Sequence, residues 1–133
     1  MNAFVVEVEN RPGEMARVLE PLATQEVNIL GSGLGLGSKG AIVFVANDEE
    51  RARSALRGAK IGYREVPVIQ VSLEDKPGQA LRVSKKLADA GVNIEVFFPV
   101  QAAGGKVTAL IGVDKAEPAR QALRDQLTTW SYR

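Results

Sequence analysis

Histidine and cysteine are both absent from the 133 residues, and the two gaps remove much chemistry at once. Without cysteine there is no disulfide, no thiolate nucleophile and no thiolate metal site. Without histidine, the usual general base near neutral pH and the commonest metal ligand are missing. Aromatic residues make up only 5%, with a single Trp. No charge of one sign dominates: 17 basic residues face 16 acidic ones, so no net field recruits nucleic acid or an anionic membrane. No run of about 18 apolar residues occurs. The opening MNAFVVEVEN lacks a basic segment followed by a long apolar one. These absences point to a cytoplasmic protein without metal or cofactor, and they make enzymatic activity the least favoured reading. What remains, 45% hydrophobic and 25% charged, is the mix of a folded globular chain.

Glycine is plentiful, and five of the 13 lie in GSGLGLGSKG, residues 31–40. Gly35 to Gly40 satisfies the G-x-G-x-x-G spacing of a dinucleotide-binding loop, which works only where a helix follows to receive the pyrophosphate. Here Ala41-Ile42-Val43-Phe44-Val45-Ala46 follows, a β-rich run that reads as a strand. The run also lacks a Gly-Lys-Ser/Thr triplet, so no phosphate cradle is expected. Two readings of the glycines stay open: close approach of another chain or a ligand, or a flexible hairpin.

The chain is written twice. Glu9–Ile29 and Glu74–Ile94 align at a shift of 65 as E-x2-P-G-x3-R-V-x3-L-A-x3-V-N-I, with 10 identities in 21 positions. Composition alone would give about one. Upstream, Phe4, Val6 and Val8 match Ile69, Val71 and Leu73 at the period of a strand. Ala52–Leu56 matches Ala119–Leu123 at a shift of 67, which places a two-residue gain, read as a tolerant loop, between the second and third strands of the second copy. Asn47-x-x-Glu50 and Asp114-x-x-Glu117 read as helix-opening capping boxes.

Each half reads strand, helix, strand, strand, helix, strand. The class is therefore α+β, with two tandem ferredoxin-like βαββαβ units at 1–66 and 67–133. Val18 and Leu22, with Met15 and Leu19, form the apolar stripe of the first helix; Ala80, Val83 and Leu87 do so in the second copy. Pro21 interrupts the first stripe and predicts a kink or an end near 17–20. The last strand of copy one, Tyr63–Val66, is expected to run through Pro67 into the first strand of copy two. Its counterpart has only Trp130–Arg133 to use and should be short or frayed.

A doubled unit bearing E-N-R-P-G and E-D-K-P-G before R-V-x3-L-A-x3-V-N-I resembles the ACT domain, a small regulatory module that binds amino acids. The resemblance covers nearly the whole chain. It implies units that pair edge strand to edge strand, with an effector amino acid at the seam between them. It also implies a non-catalytic sensor that acts allosterically on amino-acid metabolism, a homodimer, and an enzyme of that metabolism as partner. The family's ligand contacts fall on Asn10, Gly13 and Asn28 in copy one, and on Gly78 and Asn93 in copy two.

The turn has a physical reading of its own. Asn10-Arg11-Pro12-Gly13-Glu14 puts Pro near the first helical position and aims free amides at solvent, an anion site of carboxylate size. Asp75-Lys76-Pro77-Gly78-Gln79 repeats it, with Asp in place of Asn. Asp only accepts, so it would hold an ammonium and repel a carboxylate. Arg11 and Lys76 steer a carboxylate or are simply solvated, whereas Arg17 and Arg82 read as structural or interface residues. Of Phe97 and Phe98, one should face the core and the other a pocket or interface. The competing function is a ligand-free dimerisation or adaptor module that binds a protein partner.

Overall fold

A computed structural model describes residues 1–132, and its six strands and four helices follow the order that the repeat predicts. In the first half these are β1 (Asn2–Glu9), α1 (Glu14–Thr24), β2 (Ile29–Leu36), β3 (Lys39–Ala46) and α2 (Glu49–Gly58). Strand β3 pairs antiparallel with both β1 and β2, as Phe4 faces Phe44 and Gly33 faces Ile42. The second half repeats this with β4 (Arg64–Glu74), α3 (Gln79–Asp89), β5 (Ile94–Ala103), β6 (Lys106–Val113) and α4 (Ala116–Ala122). Here β6 pairs antiparallel with β4 and β5. Strand β4 runs through Pro67 without a break.

The chain divides into two compact units, one of Asn2–Glu65 with Ser131 and Tyr132, the other of Met1 with Val66–Trp130. In the first, alternation puts Phe4 and Val6 of β1 on the face shared by Ile42 and Phe44 of β3. Val18 and Leu22 of α1 and Leu56 of α2 close over them. Phe4 stacks on Phe44 with ring centroids 5.3 Å apart. In the second unit, Ile69, Val71, Val83, Leu87, Ile111 and Leu123 build the corresponding core. Each such fully buried side chain supplies about 1.5–3 kcal/mol of burial free energy. The repeat in sequence is thus a repeat in packing.

Several local expectations need correction. Helix α1 does not end at 17–20: it continues past Pro21 to Thr24. Burial of Leu22, 1% exposed, on the far side of the proline favours continuation over a break. The two residues gained by the second copy lengthen no loop, since both hairpins turn on two residues, 37–38 and 104–105. They are absorbed inside β5 as register shifts between Ile94 and Val96 and between Pro99 and Gln101. Asn47 and Asp114 do not cap helices. Their carboxamide and carboxylate oxygens accept from the backbone N–H of Asn28 at 3.0 Å and of Asn93 at 2.9 Å. Asp48 caps α2 instead, accepting from Arg51 N–H at 3.0 Å. The closing strand of copy two is reduced to one bridge, Val71 to Leu127, flanked by Ser72 N–H to Gln126 at 2.8 Å and Thr128 N–H to Gln70 at 3.0 Å. This pairing precedes Trp130–Arg133, because the chain turns at once after α4; Arg133 lies outside the described residues.

Candidate functional site

The connections from β1 to α1 and from β4 to α3 turn on a glycine at positive φ. Gly13 and Gly78 hold the third turn position at φ 90°, ψ −10° and φ 92°, ψ −7°, where residues with a Cβ are strained. Gly13 is the N-cap and Glu14 the first helical residue, so Pro12 lies outside the helix rather than at its first position. The N–H of Glu14 is already engaged with the carbonyl of Arg11 at 3.4 Å, so the turn exposes fewer free amides than its sequence implies. Asn10 ties the first turn to the β2–β3 hairpin. Its backbone N–H donates to Ser38 at 3.0 Å and its Nδ2 to the Gly37 carbonyl at 2.8 Å. Asp75 keeps only the backbone half of this link, N–H to Gly105 at 2.9 Å, because a carboxylate has no proton for a carbonyl.

A groove of about 740 Å³ opens beside the first turn. Its charged lining is balanced: Glu7, Glu9 and Glu14 against Arg11, Arg17 and Lys39, with Leu34 and Leu36 as apolar neighbours. Glu14 is the buried charge of the site, at 7% exposure. Its carboxylate accepts from Arg17 Nε at 3.0 Å and lies 3.8 Å from Arg11 Nε. The Arg17 hydrogen bond holds the Glu14 carboxyl below the usual range, outweighing the upward push of burial, with the charges of Arg17 and Arg11 assisting. Arg17 is raised in turn by the same bond.

The second groove, about 290 Å³, occupies the corresponding place beside α3. Lys76, Arg82, Lys86 and Lys106 line it against Glu74 and Asp125, and Gln79 replaces the buried glutamate. Lys76 Nζ sits 2.7 Å from Glu74, and that bond is the main cause lowering the Glu74 carboxyl.

The glycine run serves packing around the first turn. A Cβ on Gly31 would stand 2.0 Å from the Val43 carbonyl oxygen, and one on Gly33 would stand 2.5 Å from the Met15 methyl. At Gly35 it would meet Asn10 Nδ2 at 2.9 Å. Gly33 and Gly35 are therefore bare so that α1 and the turn can lie close, and Gly31 so that β3 can. The even positions put Leu34 and Leu36 on the other face, 63% and 74% exposed. The close approach observed is thus to the run's own chain, rather than to another chain or a ligand.

The model of the ACT domain pair matches residues 1–129. This chain belongs to the ACT domain-pair family. Among solved structures it is similar to a Bacteroides thetaiotaomicron protein at TM-score 0.77 and 21% identity, covering 93% of this chain and 86% of that one. The ligand-free regulatory subunit of aspartate kinase from Thermus thermophilus matches at TM-score 0.60 and 21% identity, covering 93% and 90%. Aspartokinase alpha and beta subunits match at TM-score 0.64 and 20% identity over the same shares. At these identities the likeness establishes the shared fold. No curated protein matches in sequence.

Within each ACT unit the site residues do not all converge. Arg11, Pro12, Gly13 and Glu14 gather at the end of β1 with Asn10. Asn28 precedes β2, whose eight residues separate it from that turn by about 25 Å. Asn93 stands in the same relation to Asp75, Lys76, Pro77, Gly78 and Gln79, at the far end of β5. Phe98 is the buried member of its pair and Phe97 the exposed one, at 8% and 38%. Several groove residues lie outside the expected site. Arg17 and Arg82, expected as structural or interface residues, line the two grooves, and Arg17 binds Glu14 there. Lys39 and Lys106 open the third strands of both copies at the 67-residue shift and line both grooves, so the repeat itself carried the signal. Among the described residues no helix is long and apolar enough to cross a membrane, and no acidic cluster is arranged to hold a metal.

Proposed function

We propose that this ACT pair is a non-catalytic sensor that binds a free amino acid and regulates an enzyme of amino-acid metabolism allosterically. The observation that carries the reading is the repeated groove beside a glycine-turned helix start, lined by side chains of both signs as a zwitterion requires. The binding residues are those of the two turns, Asn10 to Glu14 and Asp75 to Gln79. Because Asn28 and Asn93 lie a strand's length away in their own units, they act on ligand held by another ACT unit, at a seam in a homodimer. The two ACT units are residues 1–66 and 67–133. The kinship in fold with a regulatory subunit of aspartate kinase supports the choice of enzyme class. Allostery requires that the two states of the regulated assembly bind the amino acid differently.

The test is thermal unfolding of the purified protein against each of the twenty amino acids. A ligand at 100 times its dissociation constant adds about 2.7 kcal/mol, a shift of several degrees. Selective stabilisation by one amino acid, or by one chemical group of them, is the expected result. Silence across the whole panel would sink the reading. The adaptor alternative draws on the bare leucines of β2, Leu34 and Leu36, which a protein partner would cover.

A further inference from the structure

The two grooves share a frame and differ at its centre. Arg17 and Arg82 occupy the same position one turn into α1 and α3, and in the first groove the arginine already holds a carboxylate. Glu14 is that carboxylate, buried, 3.0 Å from Arg17 Nε, and supplied by the chain itself. In the second groove Gln79 stands at this position, and a carboxamide brings no charge. Arg82 ion-pairs with no side chain among the described residues and acts on Glu74 only through space. The cavity of about 290 Å³ around it carries four cations against two carboxylates, Glu74 and Asp125, and Glu74 is already bound to Lys76. The first groove counts three against three.

We propose that the second groove takes the carboxylate of a free ligand where Glu14 provides one in the first, so that each chain offers one carboxylate site rather than two. The guanidinium of Arg82 donates to the incoming carboxylate, Lys106 and Lys86 complete the positive wall, and Gln79 contributes its carboxamide N–H. The first groove is closed to carboxylates by its own glutamate. The inference deepens the amino-acid reading and rests on it for the class of natural ligand, but the carboxylate preference is testable without that ligand.

The probe is acetate, titrated into nitrogen-15-labelled protein at fixed ionic strength, with neutral acetamide as the isosteric control. Saturable amide shifts are expected at Gly78 to Arg82 and none at Gly13 to Arg17. In Gln79→Glu the second turn carries its own carboxylate, and acetate affinity there falls about tenfold or more, as for loss of a charged hydrogen bond. In Glu14→Gln the first turn gains acetate-dependent shifts. Should Gln79→Glu fail to fold, the gain in Glu14→Gln carries the test alone. Equal shifts with acetamide, acetate binding at the first turn of the unaltered protein, or undiminished affinity in Gln79→Glu overturns the proposal. Acetate shifts without stabilisation by any amino acid leave this inference standing and remove the sensor reading. The opposite pair of results does the reverse.

Discussion

The turn after β1 and the turn after β4 have the same backbone and different chemistry. Gly13 and Gly78 differ by 2° in φ, 90° against 92°, yet Asn10 faces Asp75 across the repeat and Glu14 faces Gln79. Geometry here depends on a glycine held at positive φ, which side chains resist. Charge depends on side chains free to change without moving the chain. A duplicated unit can therefore keep two equivalent frames while only one of them stays open to a ligand. The same contrast extends to β2 and β5, where Gly31 lies opposite Phe44 and Phe97 opposite Ile111. The first copy makes room for close backbone contact, and the second carries a ring and two bulges.

The sharpest way to break this comparison is to make β2 resemble β5. Gly31→Val drives a side chain into the Val43 carbonyl and the Phe44 backbone, 2.0 and 2.6 Å from the new Cβ. A loss of about 3 kcal/mol in denaturant unfolding is expected. Phe97→Gly, at a half-exposed position, should cost about 1–2 kcal/mol. Similar losses at both sites would show that the glycines of β2 do not serve packing.

Smaller effects belong to the link between turn and hairpin. Asn10→Asp removes the donor to the Gly37 carbonyl and should cost about 1 kcal/mol. Asp75→Asn should stay within about 0.5 kcal/mol, because the register position that Gly35 holds in β2 is Ala102 in β5. Chemical denaturation of both variants decides whether the link is one-sided. The pH response of the first turn follows from Glu14. Its carboxyl is lowered in the folded state, so its contribution is present above the unfolded value of about 4.5 and fades as pH falls below it. The stability gap between the unaltered protein and Glu14→Gln should narrow on acidification through that range.

An effect of the opposite sign lies at the C-terminal end of α1. Glu26 adopts φ 57°, a left-handed conformation, where the second copy has Gly91 at φ 70°. Glu26→Gly should stabilise the protein by about 1 kcal/mol through relief of that strain. No gain in unfolding midpoint would mean that the surroundings of Glu26 compensate for it.

The repeat made most of the fold legible. Ten matched residues marked the turns, the first helices and the start of the second strands, because several answer a geometric demand: Gly for positive φ, Val and Leu for a buried stripe. The sequence was less informative where packing overrides local rules. Pro21 stays helical because Leu22 is buried beyond it, and Asn47 and Asp114 bond across to the next strand rather than to their own helices. At the site, the turns could be read directly. The consequence of Glu14 could not, since a glutamate at a helix start usually faces solvent and only the fold shows this one buried against Arg17.

The central claim is that this ACT pair reads a free amino acid at its glycine turns, and calorimetric titration of the purified chain with the twenty amino acids tests it most directly. The account predicts saturable heat for one amino acid or one chemical group of them, with one site per chain that Gln79→Glu removes. Absence of saturable heat for every amino acid would contradict it, whereas unchanged binding in Gln79→Glu would overturn only the one-site inference.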